Sequence, residues 1–321
     1  MTRFDSAVAP LVVATRSGLD ESLHHGAGVA LDSDGRVVAA VGDPELVVYP
    51  RSCLKPLQAH AMVGIGLDLT DAQLAVACAS HDGSPMHLDA VRSILARYDL
   101  AESDLANTPA RPRGATARAD ARAGGIEPSS LQQNCSGKHA AMLATCRVND
   151  WPTGDYLDPE HPLQQEITAR IGSLGVSVEH IGVDGCGAPT HAFSLHELAT
   201  AFATLAAPDS VVARAMTSNP VLVGGLERDV TLWMQAVPTL VAKEGAAGVM
   251  AAALADGRAV AYKVADGSDA ARQAAVPAAF RAAGVDVAAL AATDERVAVP
   301  VFGHGEVVGH LEALEWTPCS S

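Results

Sequence analysis

Apolar residues cluster in short runs at both ends of the chain and recur at helical spacing through its middle. Residues 9–15 (Ala-Pro-Leu-Val-Val-Ala-Thr) predict a strand. Segments 26–31 and 36–41 flank Asp32-Ser33-Asp34-Gly35, a hairpin signal, and 46–49 predicts a further short strand. Helical periodicity then takes over at about 53–65, 71–79 and 86–98. Residues 103–130 are rich in Ala, Arg, Pro and Gly and read as a long ordered loop or flap, in which Arg111, Arg113, Arg118 and Arg122 cluster. A helix is expected at 136–147 and another from Pro159 to about 171. A short strand is expected at 176–183, with helices recurring between 193 and 235. The last third returns to strands: 248–254 and 259–264 around Ala255-Asp256-Gly257-Arg258, a helix at 268–283, and strands at 297–301 and 306–314.

Strands at both ends with helices between them predict an α+β fold. One mixed sheet would be built from both termini and flanked by helices, with a helical region over roughly 53–235. At 321 residues the chain is long enough for one large domain or two packed lobes, and no internal repeat is visible.

Composition narrows the function. The net charge of −15 argues against nonspecific binding to nucleic acid or to an anionic membrane. No apolar run reaches the ~18 residues of a membrane span, and Met1-Thr2-Arg3-Phe4-Asp5 lacks the basic-then-apolar pattern of a signal peptide, so a cytoplasmic address is expected. The six cysteines are too sparse for a disulfide framework, and most are expected to be small buried apolar residues.

Five polar segments stand out against this background. Arg51-Ser52-Cys53-Leu54-Lys55-Pro56 puts a serine three residues before a lysine at the start of a helical segment. Residues i and i+3 share a helix face, so Ser52 and Lys55 can meet. A serine hydroxyl is a poor nucleophile without a base, and a lysine serves as that base only when its neutral form is favoured. Cys78-Ala79-Ser80-His81-Asp82-Gly83 places a second serine at a helix end, where a cap is the plainer reading. Lys263, in Tyr262-Lys263-Val264, ends an apolar strand, as an exposed end or as a site residue. Asn134-Cys135-Ser136-Gly137-Lys138-His139 fits a tight turn into a helix N-terminus, whose backbone N–H groups favour an anion. Asp184-Gly185-Cys186-Gly187-Ala188-Pro189-Thr190 is a Gly/Pro-rich loop with one carboxylate and one thiol. Two thiols on separate loops are either unrelated or a pair of zinc ligands, and with no Cys-x-x-Cys pair the spacing does not decide.

Taken together, these segments resemble the L-asparaginase II family of the rhizobial inducible type, from about residue 9 to the C-terminus. The resemblance implies a single catalytic domain over 1–321 with a serine β-lactamase/glutaminase-like fold and an active site between sheet and helical region. It also implies hydrolysis of L-asparagine to L-aspartate and ammonia by serine-lysine catalysis. The family's two serine-lysine tandems fall on Ser52 with Lys55 and on Ser80 with Lys263. Its zinc ligands fall on Cys135, Lys138 and Cys186, with the metal organising the substrate pocket rather than activating water. Asp184 has the charge to hold the substrate's α-ammonium; Arg51, or the helix start at Ser136 and His139, would hold the α-carboxylate end. A homodimer is the family expectation. Ser84 stands where members often carry glutamate, and Gly187 where a larger polar residue is found. Other readings are a glutaminase or another serine-lysine amidohydrolase of β-lactamase type, and a zinc-stabilised amino-acid binding protein without catalysis.

Overall fold

The computed structural model describes residue 2, residues 4–285, residue 287 and residues 298–319. Strands are β1 (Ala9–Arg16), β2 (Leu19–Leu31), β3 (Val37–Val41), β4 (Val47–Val48), β5 (His180–Val183), β6 (Pro189–Ser194), β7 (Leu240–Gly245), β8 (Val249–Leu254), β9 (Ala259–Val264), β10 (Val299–Gly303), β11 (Glu306–Ala313) and β12 (Thr317–Pro318). Helices are α1 (Leu54–Gly64), α2 (Asp71–Ala77), α3 (Pro85–Arg97), α4 (Ala115–Ala123), α5 (Ser136–Val148), α6 (Pro162–Gly172), α7 (Leu195–Leu205), α8 (Val211–Ser218), α9 (Pro220–Gly224), α10 (Asp229–Ala236) and α11 (Asp269–Ala282). The fold is α+β, and the chain divides into two compact units.

The sheet unit comprises Met1–Cys53, Ala192–Ala207 and Thr239–Ser321, so both termini build it. Its main sheet runs β10-β11-β1-β2-β9-β8-β7, with β3 also on β2 and β12 on β3. The pairings are antiparallel; β1–β2, β2–β3, β7–β8, β8–β9 and β10–β11 are hairpins, while β1–β11 and β2–β9 join distant parts of the chain. The thirteen-residue β2 pairs with β1 along its first half and with both β3 and β9 along its second. Gly28 is required there, because a Cβ would lie 2.7 Å from both Trp316 and Tyr262. The Tyr262 hydroxyl donates to the Arg272 carbonyl on α11 at 2.6 Å, which assigns that face of β9 to the helix. Lys263, the next residue, leaves from the other face.

The helical unit comprises Leu54–His191 and Pro208–Pro238. Its centre is α5, buried on every side from Ser136 to Cys146. A helix buried all round is a core helix, and this one carries polar Lys138 and His139 at its start. Gly137 sets its distance from α2: a Cβ there would lie 2.1 Å from the Val76 carbonyl oxygen. Helix α2 is fixed at its start by a reciprocal capping box between Thr70 and Gln73.

The structure departs from the sequence expectations at four places. The segment 103–130 contains α4 and is tied down: Arg118 donates to the Pro112 and Arg113 carbonyls and Arg111 to the Ile126 carbonyl. Ala and Arg are strong helix formers, and the flanking Pro and Gly obscured them. The strand expected at 176–183 shrinks to β5. β7 was not anticipated, because Lys243 and Glu244 interrupt its apolar run. The first half of β2 was not anticipated either, being polar and exposed. Val297, with which a late strand was expected to open, lies outside the described residues.

Candidate active site

Lys55 is the second residue of α1 and is almost fully buried. Its amine donates to the Ala79 carbonyl at 2.6 Å, to Ser80 Oγ at 3.2 Å and to the Asn134 carbonyl at 3.3 Å. Ser80 follows the C-cap of α2, and its own N–H is anchored to the Val223 carbonyl at 3.1 Å. The helical unit therefore brings Lys55 and Ser80 together with the loop that opens α5.

That loop is rigid. Asn107 donates to the Ser130 carbonyl at 2.7 Å and to Gln133 Oε1 at 3.0 Å, and the same Oε1 accepts the Cys135 N–H at 2.9 Å. Cys135 is the N-cap of α5, and Lys138 lies on the first turn. Cys186 sits in the turn between β5 and β6, which is closed by the Gly187 N–H on the Asp184 carbonyl at 2.9 Å; Gly187 has φ of +92°, a glycine conformation. Cys135 and Lys138 share the first turn of α5, and the Lys138 amine donates to Cys186 Sγ at 3.1 Å. Interaction with the Cys186 sulfur, then the Lys55 and Lys138 charges, hold Cys135 well below the usual thiol range against the effect of burial. Cys186 is pushed up, by interaction with Cys135 and by burial. Burial disfavours charge on Lys138, yet Cys186, Cys135 and Asp184 outweigh it and raise its pKa.

Two thiols are soft donors of the kind zinc takes, and the Lys138 amine joins them only once it has lost its proton. Among the described residues no group of three or more His, Cys, Asp or Glu side chains is disposed to hold a metal. Any zinc here would rest on Lys138 as its third protein donor. A bound cation would reverse the charge logic that keeps that amine protonated. The residues fit a zinc ion on donor chemistry and convergence.

The other substrate-binding candidates are placed as follows. Asp184 is half-buried, with Oδ2 3.7 Å from Cys186 Sγ. Ser136 is buried, and its hydroxyl bonds His81 Nε2 at 2.8 Å. His139 Nδ1 bonds the Tyr156 hydroxyl at 2.8 Å, while its buried Nε2 has no hydrogen-bond partner. Burial, then the Lys138 and Lys55 charges, hold His139 well below its ordinary pKa, so it is neutral. His81 is likewise neutral, through burial and then the neighbouring His87 and Lys55. His87 stacks on His81 at 5.3 Å and pairs with Asp82 at 2.7 Å. Ser84 is the N-cap of α3, its hydroxyl 2.8 Å from His87 Nδ1.

In the sheet unit, Arg51 and Ser52 lie on a 3-10 turn, Arg51–Cys53, and both are half-buried. Arg51 has φ of +55°, a left-handed conformation uncommon outside glycine, which costs of order 1–3 kcal/mol and clusters at functional sites. The turn packs on the end of β7: a Cβ on Gly245 would lie 2.4 Å from the Pro50 carbonyl oxygen and 3.2 Å from Cys53 Sγ. The Cys53 thiol donates to the Lys243 carbonyl at 3.0 Å. Gly245 is opposite Val249, and Val249 is opposite Lys263, so Lys263 and (two residues back along β7) Lys243 originate on the face that carries the Ser52 turn. The Lys263 amine donates to the Ala247 carbonyl at 2.7 Å and to the Val264 carbonyl, and lies 5.7 Å from the Phe4 ring centroid. Burial lowers its pKa, with Asp266 pulling the other way. The Lys243 amine is fully buried on the Glu244 carboxylate at 2.7 Å.

Lys243 was missed from the sequence. Its signal was Lys243-Glu244-Gly245 closing an apolar strand, the Lys-x-Gly pattern of serine-lysine hydrolases. A cavity of about 370 Å³ in the helical unit, lined by Asp82, Ser84, Met86, Ala115, Asp120 and Leu226 among others, has neither lysine nor thiol in its lining. No helix among the described residues is long and apolar enough to cross a membrane.

Among solved structures, a β-lactamase from Mycobacterium bovis aligns at a TM-score of 0.41 and 16% identity, over 85% of this chain and 95% of that one. No curated protein sequence matches the chain. The family model described as L-asparaginase II matches residues 12–313, nearly the whole length, and the protein belongs to this family of amidohydrolases.

Proposed function

We propose that the protein is an L-asparaginase that hydrolyses L-asparagine to L-aspartate and ammonia through a serine-lysine acyl-enzyme. The observation that carries the reading is the buried Lys55 amine 3.2 Å from the Ser80 hydroxyl, in a chain of this family. Ser52 attacks the side-chain amide carbon, and Lys55, three residues on, takes its proton. The tetrahedral oxyanion collapses with loss of ammonia, whose proton comes back from Lys55 by way of Ser80. Water then releases aspartate from the acylated serine. Lys263 is the second lysine of this reading, and Lys243 is its rival, closer along the sheet to the Ser52 turn. Asp184 holds the α-ammonium. Arg51, Ser136 and His139 serve the carboxylate end; the partnerless Nε2 of His139 supports a ligand contact there.

Cys135, Lys138 and Cys186 would hold zinc, which supplies a fixed positive charge that organises the substrate pocket. A homodimer and a cytoplasmic address complete the proposal, the first testable by sedimentation and the second by fractionation.

A second assignment has specific support. Ser80, directly bonded to Lys55, is itself a candidate nucleophile. Trapping with a diazo-ketone analogue of asparagine, followed by peptide mapping, distinguishes a label on Ser52 from one on Ser80. An ammonia-release assay with asparagine and glutamine tests the function itself. One methylene separates these substrates and is worth roughly 1–3 kcal/mol, so a glutaminase is the outcome if glutamine turns over faster. No ammonia from either leaves an amino-acid binding protein.

A further inference from the structure

The cavity of about 370 Å³ beside Asp82 lies wholly within the helical unit, and none of the serine-lysine residues is in its lining. Its volume falls in the ordinary range of small-molecule sites. Much of its wall is apolar: Pro85 and Met86 at the start of α3, Ala117 on α4, and Leu226 just after α9. Met86 is 41% exposed and Leu226 65%, so the apolar surface they present is left uncovered. A second hollow of about 200 Å³ continues from the first, because Asp82, Gly114, Ala115 and Glu227 line both. This annex adds Arg113 and Arg228.

Asp82 is held firmly where the two hollows meet. Its Oδ1 accepts the Ser84 N–H at 2.9 Å and lies 2.7 Å from His87 Nδ1, and its side chain keeps 21% of its surface accessible. Backbone closes round it: a Cβ on Gly114 would lie 2.9 Å from Asp82 Cβ, and one on Gly225 2.4 Å from Oδ2. With Oδ1 engaged twice, Oδ2 is the oxygen with capacity for a ligand. We propose that this cavity binds an apolar α-amino acid of about leucine size. Its α-ammonium pairs with Asp82 and Glu227, its α-carboxylate with Arg113 and Arg228, and its side chain fills the apolar chamber.

The charges select this occupant. The annex holds two carboxylates and two guanidiniums, so a neutral dipole finds a partner for each end, while a lone amine or a lone acid also meets like charge. Asp120, in the larger lining, repels the second carboxylate of aspartate, and the amide of asparagine forgoes the apolar contact. The site therefore discriminates against the substrate and product of the function proposed above, and it does not depend on that reading.

The test uses the full-length protein and equilibrium dialysis of radiolabelled L-leucine. The expected result is one site per chain, undisturbed by L-aspartate and retained by the Ser52→Ala protein. Isocaproate, which lacks the ammonium, and isopentylamine, which lacks the carboxylate, should each bind about tenfold or more weakly. Ala117→Trp fills the chamber and should abolish binding. Leu226→Asp should do the same, and because it alters an exposed side chain it leaves the fold intact. L-leucine should also raise the melting temperature of the wild type and not of Leu226→Asp. Displacement of L-leucine by L-aspartate, equal binding of isocaproate or isopentylamine, full binding by Leu226→Asp, or no binding at all overturns the inference. Ammonia release is assayed on the same preparation. Protein that releases ammonia but binds no L-leucine fails only this inference, and protein that binds L-leucine but releases no ammonia fails only the function proposed above.

Discussion

Lys55 and Ser80 share a hydrogen bond of 3.2 Å inside the helical unit, although the rest of α1 and all of α2 separate them in the chain. The Lys55 amine has three acceptors there: Ser80 Oγ and the Ala79 and Asn134 carbonyls. A protonated lysine has three N–H donors and satisfies all of them. A neutral one has two donors and a lone pair. The two carbonyls can only accept, so the lone pair falls to Ser80, which alone of the three can reverse its bond and donate. The geometry thus accommodates both protonation states and singles out the Ser80 hydroxyl as the proton's partner.

Replacing this pair separates structure from chemistry. Ser80→Ala leaves both carbonyl bonds of Lys55 intact, so stability should fall by only about 1 kcal/mol. Activity should fall by about 10²–10⁴-fold, the range for losing a positioned proton-transfer group. Lys55→Met should match that loss and also destabilise by roughly 1–3 kcal/mol per carbonyl left buried and unpaired. The checks are kcat/KM for ammonia release and urea unfolding. A Ser80→Ala enzyme within tenfold of wild type, about 1.4 kcal/mol of barrier, would remove Ser80 from the mechanism.

Gly137→Ala tests how the site is held. The added Cβ would sit 2.1 Å from the Val76 carbonyl oxygen, a backbone atom that cannot rotate away. Helices α5 and α2 must separate, at an overpacking cost of about 1–3 kcal/mol or more. Cys135 and Lys138 ride on α5 and Ser80 follows α2, so activity should drop with stability. A variant that melts like wild type would show that the two helices are not in contact at this glycine.

The sequence was most legible where periodicity and turn chemistry agreed. The β8–β9 hairpin around Asp256-Gly257 and the helix at Ser136 both form within a few residues of expectation. The thiol loops were legible as Gly-rich segments, but their meeting depends on tertiary packing that no spacing encodes. Strand β7 was illegible because a buried lysine and glutamate side by side break its apolar pattern, and only the fold reveals that they neutralise each other. The reach of Lys55 to Ser80 was hidden for a similar reason: α1 and α2 place it, and no local rule joins residues 55 and 80.

Acid should weaken the helical unit through Asp82. Burial alone would raise the Asp82 pKa, but hydrogen bonds from His87 and the Ser84 N–H bring it down to about 2, against an ordinary 3.8. A carboxylate with a depressed folded pKa stabilises fully above the unfolded value and loses that contribution as pH falls through the folded one. The loss should therefore fall between 3.8 and about 2. Asp82→Asn should be less stable than wild type near neutrality and should show a shallower decline across this window. Chemical denaturation at a series of pH values measures it, and parallel declines for the two proteins would refute the assignment.

Metal binding gives a spectroscopic test. Purified protein should carry close to one zinc per chain, with Zn–S distances near 2.3 Å by X-ray absorption. Cys135→Ser and Cys186→Ser should each lose the metal and raise KM more than they lower kcat. A zinc-free protein that turns over asparagine at full rate would dismiss the metal from the mechanism.

The second lysine can be identified by pH. Burial lowers the Lys263 pKa from the ordinary 10.5, so its neutral form is populated at lower pH than that of an exposed lysine. Where a neutral Lys263 is required, activity must rise with pH through a midpoint below 10.5 and then level off. The stability effect has a determined sign as well. Between the folded and unfolded pKa values the unfolded chain binds more protons, so wild-type stability rises with pH across that window. Lys263→Met has no such group, so the stability difference should move in favour of wild type as pH rises. The kinetic profile decides the role. If Lys263→Met abolishes the alkaline rise, or moves it to higher pH, Lys263 takes part in the proton transfer. If the variant keeps the wild-type midpoint, Lys263 is a structural lysine on its two carbonyls. The same measurement on Lys243→Met must then show the loss, because Lys243 is the other lysine on the sheet face that carries the Ser52 turn.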